Sequence, residues 1–136
     1  MLIEELKIGN YVEFNKSVCS VVNIITQPDN FIYVKDNTGI VHTTTKDCIL
    51  PIELTEKWLD IFNYCIDEED SSLYEDRNLF DDYDSYYTGN RFSIEDGSFY
   101  INDAILKTDI KIIYVHQFQN WHYLLNGDIK VKKDLL

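Results

Sequence analysis

The residues best equipped for chemistry in this chain are carboxylates, and they are concentrated in one place. Asp67, Glu68, Glu69, Asp70, Glu75, Asp76, Asp81, Asp82 and Asp84 lie within residues 66–84 against a single base, Arg77, so this stretch holds a net −8 of the chain's formal −12. Dense carboxylate oxygens suit a hard cation such as Ca²⁺ or Mg²⁺. The spacing does not fit the standard calcium loop, however. A loop starting at Asp82 has Asp84 at its third position, but Tyr87 where glycine belongs and Ser93 where the bidentate glutamate belongs. Starts at Asp67 and Asp70 also lack the glycine. Zinc fares no better: His116 and His122 are six residues apart and share no helix face, His42 lies in another segment, and Cys19, Cys48 and Cys65 form no CxxC pair. No GxSxG elbow, phosphate-binding loop or dinucleotide fingerprint supplies a nucleophile or a cofactor cradle. Paired carboxylates can act as acid and base, but among 24 acidic residues such pairs arise by chance. The chain therefore reads as a non-enzyme without cofactor or metal, and a metal-dependent enzyme built on the acidic cluster is the catalytic alternative.

The chemistry left to these carboxylates is recognition. They can stand in for phosphates and form charge-assisted hydrogen bonds to Arg and Lys on a basic protein surface. Leu73, Tyr74, Leu79, Phe80 and Tyr83 interrupt the acids, and Tyr86 and Tyr87 follow. Tyrosines add rigid contact area and hydroxyls, a combination common where binding energy concentrates. The partner-binding set is thus the nine carboxylates with Tyr83, Tyr86 and Tyr87. The plainer reading of the same run is a solvated face that keeps the protein soluble. With 12 basic against 24 acidic residues, free nucleic acid and anionic membrane surfaces are both repelled. A protein with a basic surface is the partner that fits.

The elements that must position these residues follow from periodicity. In 136 residues the default is one domain, with two packed subdomains as the variant. Residues 1–50 read as short strands: 6–14, then a turn at Asn15-Lys16-Ser17, then 18–26 with Val22 and Ile24 on one face and Val21 and Ile25 on the other. A break at Gln27-Pro28-Asp29-Asn30 precedes a strand at 31–35, a turn at Asp36-Asn37-Thr38-Gly39, and further strands at 40–45 and 48–50. This spacing predicts a small SH3-like sheet or partial barrel. A helix is expected within 51–66, N-capped by the Thr55 hydroxyl, with Leu54 and Leu59 stapled around the cap and Trp58, Leu59, Phe62, Cys65 and Ile66 at helical spacing. Residues 67–113 carry the acidic segment and a hairpin turning at Asp96-Gly97. A C-terminal helix over 114–125 presents Val115, Phe118, His122 and Leu125 as one stripe and stops at Asn126-Gly127, before a tail with Lys130, Lys132 and Lys133. The fold class is α+β. The three cysteines read as reduced thiols, the acidic start lacks the basic and apolar pattern of a signal peptide, and no run approaches the roughly 20 apolar residues of a membrane span. A cytoplasmic protein is the expectation.

Three stretches carry a family resemblance: Leu6-Lys7-Ile8-Gly9-Asn10-Tyr11-Val12, then Pro51-Ile52-Glu53-Leu54-Thr55-Glu56-Lys57-Trp58-Leu59, then Tyr114-Val115-His116-Gln117-Phe118-Gln119-Asn120 leading to Leu124-Leu125-Asn126-Gly127. Their order and spacing resemble a family of small proteins of Bacteroidetes genomes, prophages and other mobile elements. The resemblance covers both ends of the chain and the first helix, and the acidic middle departs from it. The family brings no activity to carry over. It implies a setting, in which a small acidic protein is similar in kind to inhibitors of host defence, anti-CRISPR proteins among them. Their targets, RNA-guided nucleases, hold guide and target in basic channels. The resemblance thus implies an inhibitor of a host RNA-guided nuclease, acting in the bacterial cytoplasm, with Trp58, Tyr114, His116, Phe118 and Trp121 as scaffold. The alternative in the same setting is a phage accessory or assembly protein that binds through its sheet edge or C-terminal helix.

Overall fold

Asn15 and Lys16 both take left-handed backbone, with φ of 50° and 63°, the geometry of a two-residue hairpin turn. They join β1 (Tyr11–Phe14) to β2 (Ser17–Ile25). The chain is seen here as a computed structural model that describes residues 3–66, 72–75, 92–103 and 108–136. Asp36 closes the next hairpin, between β3 (Phe31–Lys35) and β4 (Val41–Thr44): its Oδ1 accepts hydrogen bonds from the backbone of Thr38 and Ile40 and from the Thr38 hydroxyl. One 3-10 turn (Lys46–Cys48) leads into β5 (Ile49–Leu50). The sheet order is β4-β3-β2-β1-β5, all antiparallel. This is the small antiparallel sheet anticipated from the sequence, left open, since no ladder among the described residues joins β4 to β5.

The faces of β2 differ from strict alternation. A bulge shifts the register between Val21 and Asn23, so that Val21 pairs with Val34 and Ile24 with Ile32. The extra residue, Val22, lets Val21 and Ile24 both turn toward the core, where Val12, Cys19, Ile32, Val34 and Ile49 are buried with them under Ile3 and Leu6.

The first helix is shorter than its apolar spacing suggests. α1 spans Glu56–Ile61 and begins after Thr55, whose carbonyl accepts the amides of Trp58 and Leu59 while its hydroxyl makes no capping bond. Asn63, at φ 62°, ends it in the left-handed region. Cys65 and Ile66, read above as helical, therefore lie in β6 (Tyr64–Ile66). From there the chain forms a second antiparallel sheet with β7 (Ser72–Glu75), β8 (Phe92–Glu95), β9 (Ser98–Asp103) and β10 (Thr108–Ile112). Its order is the simple meander β10-β9-β8-β7-β6. Asp96 and Gly97, at φ 51° and 77°, make the β8–β9 turn expected from the sequence. Ile66, Leu73, Phe92 and Ile101 stand opposite one another across four neighbouring strands.

α2 (Val115–Asn126) lays its apolar stripe over that sheet. The Phe118 ring centre is 4.8 Å from Phe92, 5.2 Å from Tyr64 and 5.7 Å from Phe62. The helix starts where Gln117 Oε1 accepts the amides of Ile113 and Tyr114, and it ends at Gly127, at φ 80°. The His122 Nδ1–H donates to the Gly127 carbonyl at 3.0 Å, tying the last turn to the core. The C-terminal tail returns to α1: the Lys132 amide bonds to the Ile61 carbonyl, and its ammonium lies 3.0 Å from Asp60. No helix among the described residues is long and apolar enough to cross a membrane.

Candidate functional site

α2 has a second patterned face. His116, Asn120, Tyr123 and Leu124 follow one another at steps of four, three and one, opposite the stripe of Val115, Phe118 and His122. The buried Gln119 lies between the two faces. Gln119 reads the backbone that enters β1: its Oε1 accepts the Tyr11 amide at 2.8 Å and its Nε2 donates to the Gly9 carbonyl at 3.0 Å. Asn120 does the same one step outward, donating to the Glu5 carbonyl at 2.6 Å and accepting from Asn10 Nδ2 at 2.9 Å. Asn10 in turn accepts the Lys7 amide at 2.8 Å. Two adjacent amides of one helix thus clasp the segment that feeds the first sheet. Tyr11 completes the join by placing its ring 5.6 Å from Trp58 and 6.3 Å from Phe62, in the second core. Burial pushes the Tyr11 phenol pKa up.

Two hollows flank this clasp. One, of about 460 Å³, is lined by Ile8, Gly9, Gln119, Tyr123 and Ile129 among others. The other, of about 550 Å³, lies over the second face of α2 and is lined by Glu4, Glu5, His116, Trp121, Tyr123 and Leu124, with Lys7 and Asn120 at the shared wall. Tyr123 and Leu124 are 64% and 72% exposed, and Ile8 is 68% exposed, so three large apolar side chains rim these hollows. His116 lies 1% exposed in the wall of the second hollow. Neither ring nitrogen has a hydrogen-bond partner among the described residues. Nε2 is 3.6 Å from Glu5 Oε2, too long for a hydrogen bond. Burial lowers the His116 pKa, and the Glu5 carboxylate opposes that shift only in part, so the ring is neutral at pH 7.

A second histidine–carboxylate pair sits at the β3–β4 turn. His42 Nε2 is 2.8 Å from Asp36 Oδ2. Hydrogen bonds from Thr38 and then His42 hold the Asp36 carboxyl well below the usual carboxylate range. Phe14 of β1 sets its ring 5.3 Å from that of His42, so the pair ties the hairpin to that strand. Among the described residues no three His, Cys, Asp or Glu side chains converge as a metal site would require. None of the three cysteines forms a disulfide among the described residues: Cys19 is buried, Cys65 half-buried and Cys48 exposed.

Of the residues expected from sequence to meet a partner, Glu75 alone has a described backbone, at the end of β7 opposite Tyr64. Asp67, Glu68, Glu69, Asp70, Asp76, Asp81, Asp82, Asp84, Tyr83, Tyr86 and Tyr87 lie outside the described residues. Connectivity still divides them. Residues 67–71 join Ile66 to Ser72 at one end of β7, and residues 76–91 join Glu75 to Phe92 at the other. The sequence reading missed the hollow around His116. Its signal was available as the second helical stripe of His116, Asn120, Tyr123 and Leu124, which the stronger core stripe overshadows.

These features define an α+β protein of two antiparallel sheets held together by paired side-chain amides on one helix. Comparison with known proteins yields no match among family models, curated proteins or solved structures.

Proposed function

We propose that this protein is an acidic binding protein whose carboxylates at 67–70, 75–76 and 81–84 engage a basic surface on a partner protein. The partner class favoured by the resemblance of its terminal motifs is a host RNA-guided nuclease, inhibited at its basic guide and target channel. One observation carries the reading: half of the net charge, −6 of −12, belongs to the two connections, 67–71 and 76–91, that leave opposite ends of β7. β7 has four residues, so those ends stand about 10 Å apart at about 3.3 Å per residue. A single basic face on a partner can meet both connections. The test is capture of RNA-guided effectors by the immobilised chain at moderate salt, with guided cleavage as the functional readout. Replacing Asp67, Glu68, Glu69 and Asp70 by their amides is expected to remove capture and restore cleavage. Failure to capture or inhibit any effector counts against the nuclease.

The exposed Ile8, Tyr123 and Leu124 favour a second reading, a phage accessory or assembly protein that binds through the C-terminal helix. In that case the same four amide substitutions leave partner binding intact, and Leu124→Ser weakens it.

A further inference from the structure

We propose that the outer edge of β10 pairs with the same edge of a second copy of this chain, antiparallel about Ile110. β10 is the last strand of its sheet among the described residues, so one side of it carries no ladder. Alternation decides which backbone groups face that side. The two-residue turn at Asp96-Gly97 closes on Glu95 and Ser98, the pair that exchanges both hydrogen bonds. Phe99 and Ile101 therefore turn their N–H and C=O groups toward β10, where they meet Ile112 and Ile110. The backbone groups of Asp109, Lys111 and Ile113 then point outward. The Ile113 carbonyl agrees with this parity, since it accepts the Leu54 amide at 2.9 Å. That contact closes one end of the edge. It leaves the N–H and C=O groups of Asp109 and Lys111 without a partner among the described residues, and such groups are a template for another strand.

The side chains say which strand fits. Two copies related by a twofold axis set outward residues against outward residues. With Asp109 and Lys111 as the outward residues of β10, the axis passes at Asp109, Ile110 or Lys111. An axis at Asp109 opposes two carboxylates, and one at Lys111 opposes two ammoniums. An axis at Ile110 sets each Asp109 directly opposite the second copy's Lys111, with four backbone hydrogen bonds between the strands. Both side chains are exposed and share one face of the strand. On the other face Ile110 meets its own copy at a Cα separation of about 4.5 Å. Its neighbours on that face, Ile112 and Ile101, are 2% and 3% exposed, whereas Ile110 is 39% exposed where the sheet ends. Pairing covers it. The two chains, each −12, repel at long range. Directly opposed side chains stand about 5 Å apart, inside the Debye length of about 8 Å at physiological salt, while repulsion between more distant carboxylates is screened. One five-residue edge is small beside the ~1,200 Å² of a stable interface, so the dimer is weak.

The experiment is sedimentation equilibrium of the full chain at physiological salt over rising concentration, with amide hydrogen exchange followed by nuclear magnetic resonance on the same samples. Monomer is expected to give way to dimer. The amides of Asp109 and Lys111 are expected to gain at least tenfold protection as it does, while those of Ile110 and Ile112, bonded to β9, are protected throughout. Asp109→Lys and Lys111→Asp, each at an exposed position, are each expected to weaken association at least tenfold. Mixing the two variants restores opposite charges at both pairs and is expected to recover a dimer, which loss of folding in either variant would prevent. A chain that stays monomeric leaves the edge to a strand of another protein and overturns the proposal. So does a dimer whose Asp109 and Lys111 amides stay unprotected, a dimer indifferent to the charge reversals, or a mixture that does not reassociate.

Discussion

Gln119→Leu is the sharpest test of how the two halves of this protein are joined. The substitution keeps the bulk of the side chain and removes both of its polar atoms. Two hydrogen bonds disappear, from the Tyr11 amide at 2.8 Å and to the Gly9 carbonyl at 3.0 Å. Each contributes about 1 kcal/mol net when made, and a buried backbone group left unpaired costs about 1–3 kcal/mol. The hollow of about 460 Å³ beside Gly9 gives water a route to that carbonyl, which lowers its share of the cost. The Tyr11 amide, under the buried Gln119 and at the start of β1, bears the larger share. Together these terms give a destabilisation of about 2–4 kcal/mol. Urea unfolding followed by both tryptophan fluorescence and far-ultraviolet circular dichroism measures it. The two tryptophans, Trp58 and Trp121, both pack in or against the second core, while circular dichroism reports both sheets. Loss of the clasp is expected to shift the midpoint and to separate the two signals. A Gln119→Leu protein within about 0.5 kcal/mol of the parent, with coincident transitions, refutes the claim that these amides hold the sheets together.

Other consequences follow from the same geometry. Phe118→Ala empties the place where Phe62, Tyr64 and Phe92 meet, and is expected to cost about 3–5 kcal/mol, read as a lower denaturation midpoint with native topology retained. His116 has a folded-state pKa below its ordinary value of about 6.5, so the folded state binds fewer protons than the unfolded one as pH falls. Its contribution to stability is complete above about pH 6.5 and is lost progressively below it, with a slope of at most about 1.4 kcal/mol per pH unit. Denaturation midpoints across that range measure the slope, and His116→Gln is expected to flatten it.

Much of this fold is legible in the sequence because its turns carry their own chemistry. Asn15-Lys16, Asp36 to Gly39 and Asp96-Gly97 mark their hairpins by residue type, and the strands between them follow. Two elements escape local reading, each for a physical reason. Helical spacing from Trp58 to Ile66 is an accident of composition, since Asn63 breaks the helix and Tyr64-Cys65-Ile66 suit a strand once β7 offers an edge to pair with. The faces of β2 depend on a bulge whose cause is the register against β3, a partner that no window of β2 contains. The site divides in the same way. Charge is visible as composition, whereas the His116 hollow exists only because residues 4–7, distant in sequence, lie across the second face of α2.

The choice of neutral amides for the clasp has a consequence for a chain of net charge −12. An ion pair at the same junction would have to be desolvated on folding and would weaken as salt rises wherever solvent reaches it. Gln119 and Asn120 instead match a backbone donor and acceptors without adding charge, so the junction carries no first-order salt dependence. Self-repulsion among the carboxylates does depend on salt and falls as ions screen it. Raising the ionic strength is therefore expected to leave the fold as stable or make it more so. The proposed capture of a basic partner by those same carboxylates would have the opposite dependence, because its attraction is screened over a Debye length of about 8 Å at physiological salt and about 3 Å at 1 M. Salt thus separates the stability of the fold from the proposed binding. A titration in which partner release and unfolding rise together would mean that charge pairs hold the sheets, and the amide clasp would lose its place in the mechanism.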